Sequence, residues 1–241
     1  MPVKSLFTLL ISAIIFSAFA ADAYPDPGTG NEQTVSFTTS IADQEANVKR
    51  NIAIASRRLN GTVIKSGEVF SFNNTVGEGS AENGFLSGRV FYRDRVAYET
   101  GGGICQVSST LFNALLLAGC SISERHRHMH PVLYVPPGLD ATIKYGKKDL
   151  RMRNIYSFDL QIFTDVNESS LTVFIKASGI IPFAYEMFSE EGEINLPFSE
   201  DSGRNIQPGL SIEVYRKKYS GGKLLETFLM YRDFYPPVYI E

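Results

Sequence analysis

The most constraining feature of this sequence is a run of three glycines that leads directly into an apolar helical segment. Residues 101–103 are all glycine, and Cys105 follows two positions later. Glycine adopts backbone conformations closed to other residues, so the run predicts a sharp turn into a helix. Apolar residues then recur on more than one side of that helix, and Gly119 ends it. We therefore expect a central buried helix beginning at Cys105.

Elsewhere the periodicity predicts one earlier helix and many strands. Apolar positions at helical spacing indicate a helix over residues 48–59. Alternating segments indicate strands, and Ser220-Gly221-Gly222 indicates a hairpin turn between the last two. The strand segments are residues 34–39, 63–64, 69–72, 132–135, 141–145, 158–164, 171–177, 212–219 and 224–231, with a hairpin over 89–98 and a surface loop over 75–88.

Helices early in the chain and strands after them favour an α+β fold over an alternating α/β fold. We expect the central helix to pack on a mainly antiparallel sheet, with a β-rich C-terminal region. The predicted divisions are a signal peptide over 1–23, a flexible leader over 24–34, a core domain over 35–178 and a β-rich extension with a hairpin over 179–241.

The first residues predict export. Lys4 precedes an apolar run over residues 6–20, and small residues near 18–23 suit signal peptidase. The alternative is a retained membrane anchor, but a spanning helix needs roughly 20 apolar residues. We expect cleavage, no membrane span afterwards, and a location in the periplasm or outside the cell at the wall. A formal net charge of −3 without a basic stripe argues against a nucleic-acid partner.

The two cysteines lie at opposite ends of the predicted central helix. A helix rises about 1.5 Å per residue, which separates Cys105 and Cys120 by on the order of 20 Å. Because a disulfide needs Cα atoms within about 7 Å, we expect both thiols to be free. A thiol at a helix N-terminus is stabilised as the thiolate and becomes nucleophilic. The alternative is that Cys105 is a small buried apolar residue.

The residues around Cys105 are candidates for binding at the same place. Free amides in the first helical turn can stabilise an oxyanion. We assign this oxyanion or binding role to Gly102, Gly103, Gln106 and Ser108. The alternative is that the glycines serve close packing.

All three histidines of the protein fall between residues 126 and 130. On a strand, His126, His128 and His130 would share one face. One interpretation is a zinc site. Another makes His126 or His128 the general base for Cys105. A third is a polar strand that faces water.

Asp140 follows a rigid Pro-Pro-Gly turn at residues 136–138. It is a candidate for orienting a histidine, as the third member of a Cys-His-Asp set. The alternative is an aspartate that caps the turn.

These segments together resemble the VanW-like family. The resemblance rests on Gly-Gly-Gly-Ile-Cys-Gln-Val-Ser-Ser at 101–109, Glu-Arg-His-Arg-His at 124–128 and Tyr-Val-Pro-Pro-Gly-Leu-Asp-Ala-Thr at 134–142. It implies an exported or membrane-tethered bacterial protein and, because some members carry peptidoglycan-binding modules, a cell-wall partner. The family is named for an accessory protein of vancomycin resistance. The order cysteine, histidine, Asp-Ala-Thr is also similar to that of papain-like thiol enzymes.

One departure concerns the histidines. The family pattern resembles Arg-His-Pro-His-Ser, so His126 and His128 match it, Arg127 replaces the proline, and His130 has no counterpart. A three-histidine zinc site would therefore be peculiar to this protein.

Our leading hypothesis is a thiol-dependent hydrolase or transpeptidase, without a cofactor, that acts on amide bonds of peptidoglycan or a precursor peptide. Cys105 is the nucleophile, His126 or His128 the base, and Asp140 the orienting group. One alternative is a non-enzymatic module that binds cell-wall glycan or peptide. A second is a metal-binding protein with His126, His128 and His130 as ligands.

Overall fold

The structure is a computed structural model, and it describes residues 33–91, 96–192, 205–207 and 209–240. The predicted signal peptide and most of the leader lie outside these residues. The last two residues assigned to the leader, Gln33 and Thr34, are instead part of the first strand.

The described chain is α+β, as expected, with few helices and antiparallel sheets. The helices are α1 (Ala46–Leu59), α2 (Phe72–Val76) and α3 (Ile104–Leu117), with a 3-10 turn at Ala81–Asn83. The strands are β1 (Gln33–Ser40), β2 (Val63–Ile64), β3 (Val69–Ser71), β4 (Ser87–Phe91), β5 (Val96–Thr100), β6 (Ser121–Glu124), β7 (Arg151–Arg153), β8 (Leu160–Val166), β9 (Ser170–Ala177), β10 (Ala184–Gly192), β11 (Asn205–Gln207), β12 (Leu210–Ser220), β13 (Lys223–Tyr235) and β14 (Val238–Ile240).

The strands form several small sheets around one core. The order in the largest is β1-β9-β8-β2, and the others are β10-β12-β13, β3-β7-β6, β4-β5 and β11-β14. Every strand pair is antiparallel. Strand β9 alternates buried and half-buried positions, which places one face of the sheet on the core.

Helix α3 occupies the centre of the core, as the sequence predicts. Nearly all its residues are buried, and it contacts β1, β9, α1 and β10. Residues of the C-terminal hairpin, including Ile212 and Val214, belong to the same hydrophobic cluster. The β-rich extension therefore packs onto the core.

The strands expected at 132–135 and 141–145 are not present, and that prediction is wrong. At the start of the second of these segments, the backbone is held by polar side chains of α3. Asn113 Nδ2 donates to the Leu139 carbonyl at 2.7 Å, and the Ala141 N–H donates to Ser109 Oγ at 2.9 Å. Because these side chains satisfy the backbone groups, the segment has no need of a strand partner. The region expected as a surface loop, 75–88, is mostly irregular and exposed or half-buried, but Phe85 within it is 2% exposed and joins the hydrophobic cluster.

Candidate functional site

A glycine turn sets the position at which α3 begins. Gly103 has φ +103°, a conformation that glycine adopts readily. A Cβ on Gly102 would lie 2.8 Å from the backbone of Gly88, so strand β4 can approach this closely only because a side chain is absent. Asn51 of α1 reinforces the turn by donating to the Gly102 carbonyl at 2.9 Å. The turn places Cys105 in the first turn of α3, one residue after the helix begins.

The Cys105 side chain is half-buried and borders the loop that follows the Pro-Pro-Gly turn. Its sulfur lies 3.5 Å from Thr142 Oγ1 and 3.8 Å from the Ile143 carbonyl oxygen. Both Cys105 and Cys120 are free, which confirms that they do not form a disulfide. Cys120, at the far end of the helix, is fully buried.

His128 and Asp140 form the second part of the site. His128 Nδ1 lies 2.5 Å from Asp140 Oδ2, and the His128 backbone N–H donates to the same oxygen at 2.6 Å. With Nδ1 held by the carboxylate, Nε2 is the ring nitrogen available to a third group. The charge of the His128 ring acts on Cys105, and each of the two groups shifts the pKa of the other. The structure thus brings together three of the predicted site residues.

Asp140 is itself fixed by a cationic network. It is 1% exposed, and it accepts hydrogen bonds from Arg125 Nη2 at 3.0 Å and from the Tyr235 hydroxyl at 3.2 Å. Arg125 also binds both carboxylate oxygens of Asp233, at 2.8 and 2.6 Å. A buried carboxylate with this many donors has little freedom to move, so it holds the imidazole in one orientation.

The electrostatics of the site favour an ion pair between sulfur and imidazole. Burial alone would raise the pKa of Cys105, but the interactions with His128, with the Ile143 carbonyl and with Thr142 together lower that pKa. Burial alone would lower the pKa of His128, but its hydrogen bonds with Asp140 and Cys105 raise the pKa to about 9. Burial also opposes ionisation of Asp140, whose pKa is nevertheless lowered by His128 and Arg125. Relative to isolated side chains, both directions shift the balance towards thiolate and imidazolium.

The structure does not bring the other predicted residues to the sulfur. His126 Nε2 instead lies 2.9 Å from Glu124 Oε1. Gln106 donates to the Ser40 carbonyl at 2.7 Å, so its amide is committed to β1 rather than to an oxyanion. The Ser108 hydroxyl donates to the Ala141 carbonyl at 2.5 Å, which makes it a support for the loop.

The three histidines do not form a metal site. Strand β6 ends at Glu124, before the first of the three histidines. Residues 126–130 therefore lie on irregular backbone and lack the common face that was expected. Within the described ranges, no three His, Cys, Asp or Glu side chains are grouped so that they could hold a metal ion.

Several residues of the site have no local signal in the sequence. Arg125 and Asp233 are 108 positions apart, and Asp140 and Tyr235 are 95 apart. An arginine beside two histidines does indicate a polar cluster, but only the fold shows which carboxylates it binds.

Comparison with known proteins supports the family resemblance of the motifs around Cys105. A family model described as "VanW like protein" matches residues 47–176, more than half of the chain. The chain belongs to the VanW-like family. This confirms the resemblance found in the sequence, and the matched range contains Cys105, His128 and Asp140.

Two relatives of the VanW-like chain are informative. It is 34% identical over 150 residues to "Uncharacterized protein YoaR" of Bacillus subtilis, covering 62% of this chain and 50% of the relative. It is 31% identical over 126 residues to "Vancomycin B-type resistance protein VanW" of Enterococcus faecalis, covering 50% of this chain and 46% of the relative. The chain thus spans about half the length of these relatives. No solved structure matches it.

Proposed function

We propose that this VanW-like chain is an exported cell-envelope protein that hydrolyses or transfers amide bonds of peptidoglycan-type peptides. The observation that carries the proposal is the Cys105–His128–Asp140 arrangement at the start of a buried helix. The Enterococcus relative is named for vancomycin resistance, and this name supports a substrate in the cell wall. The signal-like first residues support export. Among the described residues, no helix has the length and apolar character needed to cross a membrane.

The proposed first step is acyl transfer to sulfur. The Cys105 thiolate attacks the amide carbonyl carbon, a C–S bond forms, and the carbonyl oxygen carries the negative charge. As the C–N bond breaks, the His128 imidazolium gives its proton to the leaving amine. Asp140 stabilises the charged imidazole and keeps its Nε2 directed at the reaction. The products of this step are a thioester and a free amine.

The second step regenerates the thiolate. Neutral His128 takes a proton from the incoming nucleophile, which attacks the thioester carbonyl as the C–S bond breaks. With water as nucleophile the outcome is hydrolysis, and with a second amine it is transpeptidation. The Cys105 N–H in the first turn of α3 is the backbone donor proposed to stabilise the developing negative charge on oxygen.

The test is to incubate the purified protein with soluble peptidoglycan stem peptides and to follow amide bonds by mass spectrometry. We expect turnover and an acyl adduct on Cys105, and a loss of turnover by more than about 10³-fold in Cys105→Ser. Cys120→Ala is the matched control, because it removes the other thiol and is expected to retain turnover.

Two outcomes contradict the proposal. Turnover by Cys105→Ser at the wild-type rate would exclude a thiol nucleophile. Binding of wild type and Cys105→Ser to purified cell wall with equal affinity, without any change in amide bonds, would favour the non-enzymatic binding module.

A further inference from the structure

A tyrosine hydroxyl without a hydrogen-bond partner lies beside the thiol site. The Tyr134 oxygen is shielded from solvent, and it makes no hydrogen bond of good geometry within the residues that the structure describes. The Tyr134 ring contacts His128 edge-on, with 6.4 Å between ring centroids and an interplanar angle of 82°. Buried tyrosine hydroxyls usually have a partner, so this one requires an explanation.

Ser109 is a polar side chain that acts on Tyr134, and it makes hydrogen bonds of its own. The Ser109 hydroxyl acts on the pKa of Tyr134, but the two groups do not form a hydrogen bond of good geometry. Ser109 Oγ donates to the Cys105 carbonyl at 2.8 Å and accepts from the Ala141 N–H at 2.9 Å. Ser109 therefore holds the backbone on both sides of the site, and the Tyr134 hydroxyl remains unpaired.

The Tyr134 hydroxyl stays protonated next to the thiol site. Burial raises the pKa of the Tyr134 hydroxyl well above its ordinary value, and the charges of Cys105 and Asp140 raise it further. A protonated phenol is a hydrogen-bond donor. The site thus holds one buried donor that lacks an acceptor in the absence of a ligand.

The backbone N–H of Cys105 is a second donor in the site. The N–H groups of Ile104 and Gln106 donate to Gly101 and Gly103, at 3.1 and 3.0 Å. No backbone acceptor is found for the Cys105 N–H among the described parts of the chain. Acyl-transfer sites commonly pair one backbone N–H with one side-chain donor.

We propose that Tyr134 is a further substrate-binding residue, whose O–H donates to the carbonyl oxygen of the acyl group that is attacked by Cys105. It forms the side-chain half of an oxyanion site, and the Cys105 N–H forms the other half. The assignment rests on the proposed thiol chemistry. It replaces Gln106, whose amide is bound to β1.

The experiment compares two reactions of the same sulfur in wild type and Tyr134→Phe. With p-nitrophenyl acetate, a C–S bond forms, the carbonyl oxygen carries negative charge, and the bond to p-nitrophenolate then breaks. With iodoacetamide, sulfur displaces iodide and no oxyanion forms. We expect Tyr134→Phe to slow acylation by about 10²-fold and to leave the rate and pH profile of alkylation unchanged.

The outcomes separate this inference from the proposal on which it rests. Equal acylation of wild type and Tyr134→Phe would overturn the role of Tyr134 while keeping the thiol chemistry. Equal slowing of acylation and alkylation would show that Tyr134 only stabilises the thiolate or the local structure, which also overturns it. Wild type that is not acylated at Cys105 would overturn both. Thermal unfolding of Tyr134→Phe, expected near wild type, shows that the variant is folded.

Discussion

At the scale of single residues, the two cysteines show how neighbours decide the chemistry of one side chain. Cys120 is fully buried, and burial raises its pKa to about 12. Cys105 is also subject to burial, but His128 lowers its pKa by hydrogen bonding and by positive charge. The residue type is the same at both positions, so the difference comes from the surroundings, and His128 is the main favourable contribution at Cys105.

The first prediction concerns the pH dependence of Cys105 alkylation by iodoacetamide. Because the thiolate is the reactive form and its pKa is lowered, the rate should reach its plateau below the pH at which an ordinary thiol ionises, about 8.5. Turnover should fall again above pH about 9, because His128 loses its proton there. Alkylation should not fall, because it needs no proton donor.

The matched control is Cys105→Ser, in which Cys120 is the remaining thiol. We expect no labelling of this variant below pH 9, since Cys120 is buried and its pKa is about 12. A wild-type rate that rises only around pH 8.5 would contradict activation of the thiol.

The second prediction is that Asp140→Asn weakens both the thiolate and the fold. The amide places an N–H donor among the donors of Arg125, His128 and Tyr235. We expect a loss of about 1–3 kcal/mol in the free energy of unfolding, measured by urea denaturation. Alkylation of Cys105 at pH 7 should slow on the order of tenfold, because the imidazolium loses its counter-charge. An unchanged rate would mean that Asp140 only supports the loop.

At the scale of elements, the start of α3 depends on how closely α1 and β4 approach it. A Cβ on Gly103 would lie 2.9 Å from Val48 Cγ1, and φ at Gly103 is also in the left-handed region. The glycine turn is therefore required by both packing and backbone conformation. In this way the core of the protein determines where the Cys105 sulfur lies.

The third prediction separates these two requirements. Gly67 also has positive φ, at +72°, but nothing lies within 4 Å of the position of its Cβ. Gly67→Ala should cost about 1–2 kcal/mol of stability through backbone conformation alone. Gly103→Ala should cost about 1–3 kcal/mol more, since α1 must also move. Urea denaturation of both variants measures the difference, and equal losses would show that the contact with Val48 is relieved without cost.

At the scale of the whole molecule, the C-terminal hairpin completes the site from outside the matched family region. That region ends at residue 176, whereas Asp233 and Tyr235 of β13 bind Arg125 and Asp140. The Arg125 guanidinium also lies 4.8 Å from the centroid of the Tyr231 ring. The β-rich extension thus stabilises the side chains that orient His128.

The fourth prediction is that Asp233→Asn alters the site from a distance. Without the Asp233 charge, Arg125 is neutralised by Asp140 alone and competes with His128 for that carboxylate. We expect slower alkylation of Cys105 at pH 7, by several-fold, and a loss of about 1–3 kcal/mol in unfolding free energy.

The neighbouring Arg232→Gln is the matched control. Arg232 pairs with Glu213 on the exposed surface of the same hairpin, where ion pairs contribute less than about 1 kcal/mol. We expect wild-type alkylation from this variant. The same slowing in both variants would assign the effect to the hairpin as a whole rather than to Asp233.

The sequence by itself was sufficient for features that depend on neighbouring residues. Periodicity predicted α1, α3 and the β12–β13 hairpin, and the position of the glycines predicted the start of α3 to within one residue, Ile104 instead of Cys105. The order of the short motifs was sufficient to identify the family. These features follow from backbone conformation and from the burial of one face of an element, both of which act over a few positions.

Only the tertiary structure decided which groups meet. In the fold, His128 rather than His126 lies with Asp140, because His126 pairs with Glu124. The Gln106 amide binds β1, and the Tyr134 hydroxyl has no hydrogen bond. The sulfur and Thr142 are 37 positions apart, and the ion pair that anchors the site joins residues 108 positions apart. Side chains this distant are brought together by packing of the common core, and no local pattern records which of them will then be within bonding distance.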